Sequence, residues 1–405
     1  MPMKNIILFT IDTLRKDSLG VYNKDSNLTP FLDSLSDHAL IFTRFHSSGP
    51  YTQSSFPGIL TSSYYLEFGK SKKLSPRRLL ISEALKKNDI ETAAFHSNPY
   101  LSDYFGWNRG WDIFYDSMQD EVSDMIPYIT GDKVNQKAKE WLERYARSTN
   151  KKPFFLWIHY MDVHEPYIPK KQFLELVDPS ITLTEQEMFE LFTNTLLKRD
   201  ISDLKKVKIL RNLYRAGVRE TDEYAKEFFH ILKQNQMLEN SIIFITTDHG
   251  DEFAEHNGLS HDGKMYSELI DSPLIMIDFE RKEKEICPNL VSNLDIAPTI
   301  LHLFGLLPEE KFEGNSLLPV NNYPEQGVFG EAIAKTGNHE KSEDLPVYYY
   351  RENDLKIIYY QGGENWEFYN LAQDPEEKNN LINSHPRVDE LKKKLFPRIN
   401  RWERI

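Results

Sequence analysis

Three short runs of this chain carry no continuous polar face. They are NIILFTI at 5–11, PFFLWIHY at 153–160 and SIIFITT at 241–247, β-branched or aromatic nearly throughout. A strand that is apolar on both sides has to be covered on both sides, and a parallel sheet with helices on each face does this. The runs therefore predict an α/β fold. Each run also stops at groups with chemistry: Asp12 and Thr13 after the first, Asp162, His164 and Glu165 after the second, Asp248 and His249 after the third. Parallel strands with helices between them bring such ends to one edge of the sheet, where ligands of open α/β folds bind.

Between these runs the pattern predicts further elements. Residues 28–42 have helical spacing, with Thr29 as N-cap and Pro30 at the first helical position. A polar loop at 46–52 leads into GPYTQSSFPGILTSSYY, where Gly49 and Pro50 set a turn and Thr52 falls in the first turn of a short helix. Pro57 weakens that helix, because it removes a backbone donor. Helices are expected at 81–87, 210–234 and 294–305, the last stopped by Gly305, and strands at 90–95 and 272–278. The aromatic, glycine-bearing stretch 105–116 reads as a packed loop, and 170–206 as a charged helical insertion. Past residue 310 the pattern changes to short strands at 347–350, 355–360 and 366–369 and a helix at 387–395, which suggests a smaller α+β subdomain.

Composition limits the function. A formal charge of −13 disfavours a nucleic-acid backbone as partner. Cys287 is the only cysteine, so no intrachain disulfide and no thiolate zinc site can form. The N-terminal apolar run reaches Asp12 too soon for a signal sequence, and no apolar run has the length of a membrane span. The expectation is a cytoplasmic protein with no membrane and no nucleic-acid partner.

Side by side at a strand end, Asp248 and His249 resemble half a metal site, and His261 lies further along the same loop with Lys264. Gly250 is read as freeing the backbone to turn. The alternative for the pair is a solvated acidic loop. Thr52 likewise is either an N-cap alone or a nucleophile that also touches the metal, at a helix N-terminus that favours an anion. His159 alternates within its strand and reads as a satisfied core histidine, while His164 lies beyond the strand and is the better site candidate. His256 reads as structural. Three strand ends and the Thr52 turn agreeing on one sheet edge favours the metal site.

The residues also carry a family resemblance over nearly the whole chain. NIILFTIDTLRKDSLGVY, LTPFLDSL, the 52–61 segment, HEPY, FITTDHGDEFAEHNG, HDGKMY, LDIAPTILHLFGL, EGNSLLP and EFYNLAQDPEEKNNL resemble, in order and spacing, the sulfatase branch of the alkaline phosphatase superfamily. The resemblance implies an α/β catalytic domain at 1–310, with a large, mostly parallel central sheet between helices. A C-terminal α+β subdomain with an antiparallel sheet follows at 311–405. It makes Asp12, Asp248 and His249 metal ligands and Thr52 the nucleophile on that metal. His164, His261 and Lys264 match positions that bind the anionic oxygens of a small ester substrate or assist its leaving group, and Asn98 lies near another substrate contact.

The departures bear on the reaction. Sulfatases carry Cys or Ser, oxidised to formylglycine, at the nucleophile position and Arg four residues later; this chain has Thr52 and Phe56. Threonine cannot yield the aldehyde. Thr13 replaces a second acidic ligand and His249 stands where many sulfatases use Asn, which favours one zinc or manganese ion ahead of calcium or magnesium. The preferred expectation is a hydrolase of phosphate (di)esters working through a covalent threonine ester. Cleavage of sulfuric esters and a non-catalytic anion or metal binder are the alternatives.

Overall fold

A computed structural model describes residues 3–402 apart from 70, 150, 199–200, 325, 335–344 and 364. The chain's strands are β1 (Asn5–Ile11), β2 (Ala39–His46), β3 (Glu91–Phe95), β4 (Ile113–Tyr115), β5 (Phe154–Tyr160), β6 (Ser241–Thr246), β7 (Glu252–Phe253), β8 (Leu259–Ser260), β9 (Asp271–Asp278), β10 (Glu285–Ser292), β11 (Val328–Ile333), β12 (Pro346–Glu352), β13 (Leu355–Tyr360) and β14 (Asn365–Asn370). The helices are α1 (Pro30–Ser34), α2 (Thr52–Thr61), α3 (Ile81–Lys87), α4 (Gly131–Arg147), α5 (Lys171–Val177), α6 (Glu185–Lys198), α7 (Leu204–Gln234), α8 (Ser267–Ile270), α9 (Ile296–Leu303) and α10 (Val388–Trp402).

The large sheet has the order β10-β2-β9-β6-β1-β5-β3-β4, and only β9 runs against the rest. β1 lies between β6 and β5 and is parallel to both, so Asp12, the segment after Tyr160 and the segment after Thr246 emerge together. Alternation along β1 divides the core. Ile7, Phe9 and Ile11 pack with Trp141 of α4 and Phe228 of α7, while Ile6 and Leu8 pack with Ile59 of α2, Leu85 of α3 and Ile300 of α9. Both faces of the sheet are thus covered, as its apolar strands require.

β11-β12-β13-β14 form a second, antiparallel sheet. One face packs Tyr348, Ile357 and Phe368 against Leu391 and Leu395 of α10. The other packs Tyr349 and Ile358 with Tyr51 and Met265, from the loops that border the first sheet's C-terminal edge. Glu331 N–H donates to Ser48 C=O at 2.8 Å, and Ile333 N–H to the Tyr51 hydroxyl at 2.9 Å. The small sheet thereby supports the turn ahead of Thr52.

Three expectations are corrected. Residues 28–42 are not one helix: α1 ends at Ser34 and β2 begins at Ala39, bonded to β9 on one side and β10 on the other. Its apolar residues fit either period, and partners on both sides decide for the strand. Thr29 makes no cap bond; the Asp222 carboxylate, arriving from α7, accepts from the N–H groups of Phe31 and Leu32 at 2.9 Å each. The stretch 105–116 contains an edge strand, β4. In addition, α7 starts six residues earlier than its periodicity suggests, with Asp203 accepting from Lys205 N–H. No helix among the described residues is long and apolar enough to cross a membrane.

Candidate active site

Asp12 follows β1, and Asp248 and His249 follow the neighbouring β6, so strand pairing alone brings three ligand-type side chains together. All three are fully buried. Asp12 Oδ2 accepts from Asn98 Nδ2 at 2.8 Å and lies 3.2 Å from His159 Nε2. Asp248 Oδ1 accepts from the His249 backbone N–H at 3.0 Å. His249 Nδ1 stands 3.0 Å from the Gly250 carbonyl, which can only accept; Nδ1 therefore carries a proton, and Nε2 is the nitrogen left to face a metal.

One atom of each residue is left without a partner: Asp12 Oδ1, Asp248 Oδ2 and His249 Nε2. These side chains offer ligand atoms that lie within 4.8 Å of one another, with His249 Nε2 3.7 Å from Asp12 Oδ1 and 3.4 Å from Asp248 Oδ2. Ligands about 2.0–2.2 Å from a tetrahedral cation stand roughly 3.3–3.6 Å apart. Buried charges without partners cost several kcal/mol each, so the cluster fits a divalent cation. The carboxyl groups respond in opposite directions. Burial pushes Asp248 up, and the neighbouring Asp12 adds to this. Burial also acts upward on Asp12, but the His159 hydrogen bond and the charges of His164 and His249 outweigh it and hold that carboxyl low.

Thr52 is the first residue of α2, with Tyr51 ahead of it in extended conformation. Pro57 lies inside this helix and does not end it, because the surrounding side chains are buried from Ser54 to Thr61. Ser55 Oγ donates to Asp248 C=O at 2.7 Å and Asn293 Nδ2 donates to Ser55 C=O at 3.1 Å, which ties the head of α2 to the end of β6. Asn98 bridges the two parts: its Oδ1 accepts from Tyr100 N–H, so Nδ2 faces the site, reaching Asp12 Oδ2 at 2.8 Å and Thr52 Oγ1 at 3.4 Å.

His164 and His261 complete a row of imidazoles, with ring centroids 5.1 Å apart and His261 4.4 Å from His249. His164 Nδ1 donates to the Glu165 carbonyl at 2.9 Å. His261 Nδ1 donates to Asp251 Oδ1 at 2.8 Å and lies 3.4 Å from Glu165 Oε2. Burial alone would lower the His261 pKa, but Glu165 and Asp251 together push it up to about 10, which keeps the ring protonated at neutral pH. Lys264 stands on the cleft rim, its ammonium 2.7 Å from Glu252 Oε2 and donating to His256 C=O at 3.0 Å. His256 is held by Glu268 at 2.6 Å and stacks on Tyr266, the structural place expected of it.

Asp162, the other acidic group at the end of β5, serves a structural contact. Its carboxylate accepts from Gly131 N–H at 2.9 Å at the head of α4, and the acids at His261 are Glu165 and Asp251. Gly250 does not adopt a left-handed conformation; a Cβ there would stand 2.1 Å from the Glu268 carbonyl, so close approach is what demands glycine. The missed residues are Asp251, Ser55 and Asn293, all polar and all placed by tertiary contacts; Glu165 is visible at its strand end, but not its place beside His261. Thr52, Asn98, His164, His261 and Lys264 line one cleft of about 790 Å³, walled by Tyr128 and Leu259 and closed on one side by Thr195, Leu196 and Leu197 of α6.

Known proteins match this chain throughout its length. The family model described as Sulfatase matches residues 4–306, and one described as N-sulphoglucosamine sulphohydrolase, C-terminal, matches 255–404. Arylsulfatase K of Canis lupus familiaris is 29% identical over 194 residues, a stretch covering 45% of this chain and 36% of that protein, so the match spans about a third of this relative. Among solved structures, BT4656 in complex with its substrate D-glucosamine-2-N,6-O-disulfate superposes with a TM-score of 0.81 at 20% identity, covering 99% of this chain and 98% of that one. Phosphonate monoester hydrolase of Agrobacterium radiobacter superposes at 0.77 and 18% identity, covering 99% and 96%.

Proposed function

The chain belongs to the sulfatase family and is a hydrolase, and from that premise we propose that it cleaves phosphate or phosphonate esters through a covalent intermediate on Thr52. The observation that carries this reading is the group at the head of α2. Thr52 has a secondary alcohol that cannot become an aldehyde, yet it stands within reach of the Asn98 amide that also holds Asp12. The nearby serines are not substitutes: Ser54 Oγ donates to Tyr51 C=O and Ser55 Oγ to Asp248 C=O, and both are fully buried.

A divalent cation held by Asp12, Asp248 and His249, when bound, supplies Lewis-acid charge that lowers the pKa of a nearby hydroxyl. Thr52 releases its proton to water and its Oγ1 attacks phosphorus in line, forming the Thr52 O–P bond while the bond to the leaving oxygen breaks. The Asn98 amide and the N-terminus of α2 hold the anionic oxygens. His261, protonated by virtue of Glu165 and Asp251, meets the charge developing on the leaving oxygen together with His164 and donates the proton that it needs. Water then attacks phosphorus and Thr52 leaves as its alcohol.

Thr52→Ala should abolish turnover of bis(4-nitrophenyl) phosphate, and mass spectrometry of acid-quenched wild type should find the Thr52 peptide heavier by the (4-nitrophenyl)phosphoryl group that stays after one nitrophenolate has left. A variant with wild-type rate would show the assignment to be wrong. The relatives' names favour a second reading, sulfate-ester hydrolysis. If 4-nitrophenyl sulfate is turned over and the phosphodiester is not, that reading replaces the first.

A further inference from the structure

Asp12 has two carboxylate oxygens, and only Oδ1 is unpartnered. The other is reached by a chain of buried side chains coming from inside the sheet. Trp157 Nε1 donates to Thr10 Oγ1 at 3.0 Å, Thr10 Oγ1 lies 2.9 Å from His159 Nδ1, and His159 Nε2 lies 3.2 Å from Asp12 Oδ2. Trp157, Thr10, His159 and Asp12 have no exposed surface. Thr10 and His159 face each other directly in the pairing of β1 with β5, so the contact is fixed by register.

Chemistry sets the direction of this chain. An indole N–H only donates and a carboxylate only accepts. Nε2 of His159 therefore carries the proton that meets Asp12, and its Nδ1 meets the Thr10 hydroxyl. The Ile158 carbonyl, at 3.2 Å, is the more distant acceptor for that hydroxyl. Phe56 packs edge-on against the His159 ring, with centroids 5.2 Å apart, and keeps it in place. With Asn98 Nδ2 on the same oxygen, both lone pairs of Oδ2 are used.

We propose that His159, fixed by Thr10 and Trp157, is a positioning residue that restricts Asp12 to a single ligand oxygen. The proposal rests on reading Asp12, Asp248 and His249 as a cation site. One-oxygen ligation keeps the coordination number low and leaves a position for a substrate oxygen, as catalytic metal sites require.

The test uses cobalt(II) alone, whose visible absorption is strong in four-coordinate sites and weak at higher coordination number. In His159→Leu the freed lone pair lets Asp12 bind through both oxygens. The expected result is a weaker visible band and a cobalt affinity lowered by about 10- to 100-fold. His159→Gln, whose amide places a donor near the original Nε2, should restore the wild-type band and most of the affinity. A folded His159→Leu protein with wild-type spectrum and affinity overturns the proposal, and so does an equal loss in both variants, which would mark a packing effect. Should the leucine variant not fold, Thr10→Val carries the test, with a several-fold loss of cobalt affinity expected and an unchanged affinity overturning. If wild type takes up no cobalt, the cation-site reading itself fails and the proposal falls with it.

Discussion

Two polar clusters border the loop between β6 and β9, and they are built in opposite ways. In the structural one, every charge meets its opposite. Lys356 lies 2.7 Å from Glu377, both essentially without exposed surface; Lys264 lies 2.7 Å from Glu252, and His256 2.6 Å from Glu268. Remaining oxygens are used as well: Glu377 Oε2 accepts from Ser267 N–H at 2.7 Å and Glu252 Oε1 from Gly258 N–H at 2.7 Å. In the cluster of Asp12, Asp248 and His249, the outward atoms are satisfied and the inward atoms are not. Burial alone does not distinguish them, since Lys356 and Glu377 are essentially as buried as Asp12 and Asp248 while Lys264 and His256 are only partly so. What distinguishes them is whether the polar groups complete one another or leave a set of lone pairs converging on one point, which folding tolerates only where something else binds.

The largest difference should appear on removing a charge from the open cluster. Asp248→Asn should lower turnover by roughly 10³-fold or more, the scale of lost electrostatic stabilisation. Its effect on stability has the opposite sign in metal-free protein. The Asp248 carboxyl is pushed up in the fold by burial and by Asp12. Such a group contributes stability at low pH that is lost as pH rises from the ordinary carboxylate range through its folded value. Asn removes that loss, so in EDTA the variant should melt higher than wild type, increasingly so at higher pH. Manganese at a hundred times its dissociation constant should stabilise wild type by about 2.7 kcal/mol and the variant hardly at all. Thermal melts with and without metal check both signs; an equally metal-responsive variant would erase the distinction between the clusters.

In the closed cluster the same operation should act on stability alone. Lys356→Met leaves Glu377 buried without its counter-charge and should cost about 3–5 kcal/mol. Adding Glu377→Gln, which keeps an acceptor for Ser267 N–H, should recover most of it. Guanidinium titrations of the three proteins measure this, and the rise in stability on adding manganese should match wild type throughout. A double variant no more stable than the single one would mean that the pair is not what holds the small sheet to the loop.

The clusters were unequally legible in the sequence. Asp12, Asp248 and His249 could be read because each directly follows an apolar run that only a buried strand explains, and β1, β5 and β6 appear within a residue of their expected bounds. Asp251, Glu252 and Glu255 sit in one charged stretch and look alike there; only tertiary contact sends Asp251 to His261, Glu252 to Lys264 and Glu255 to Arg15. His159 was read as a satisfied core histidine, and it is buried and bonded, but its partner is Asp12, which pattern alone could not supply. β2 was misread for a related reason, since its hydrogen-bonded neighbours β9 and β10 lie more than two hundred residues later.

His261 combines features of both clusters and offers the smallest and sharpest test. Its Nδ1 is paired, with Asp251 at 2.8 Å and Glu165 at 3.4 Å, as in the structural cluster, yet its ring borders His249 and lines the cleft. Burial works against its protonation and the two carboxylates outweigh burial, raising the pKa to about 10. A histidine raised in this way holds its proton through neutrality and loses it as pH rises through that value. If the protonated ring serves the leaving group, kcat/KM should fall on the alkaline side only near pH 10. Asp251→Asn keeps an oxygen for the Tyr167 hydroxyl, which donates to Asp251 at 2.7 Å, but removes one of the two charges. The alkaline limb should then move down by roughly one to three pH units, the usual effect of a neighbouring opposite charge. Rate profiles of wild type and variant on one phosphodiester measure it. A limb that stays in place would put His261 with the structural pairs and leave His164 to serve the leaving group.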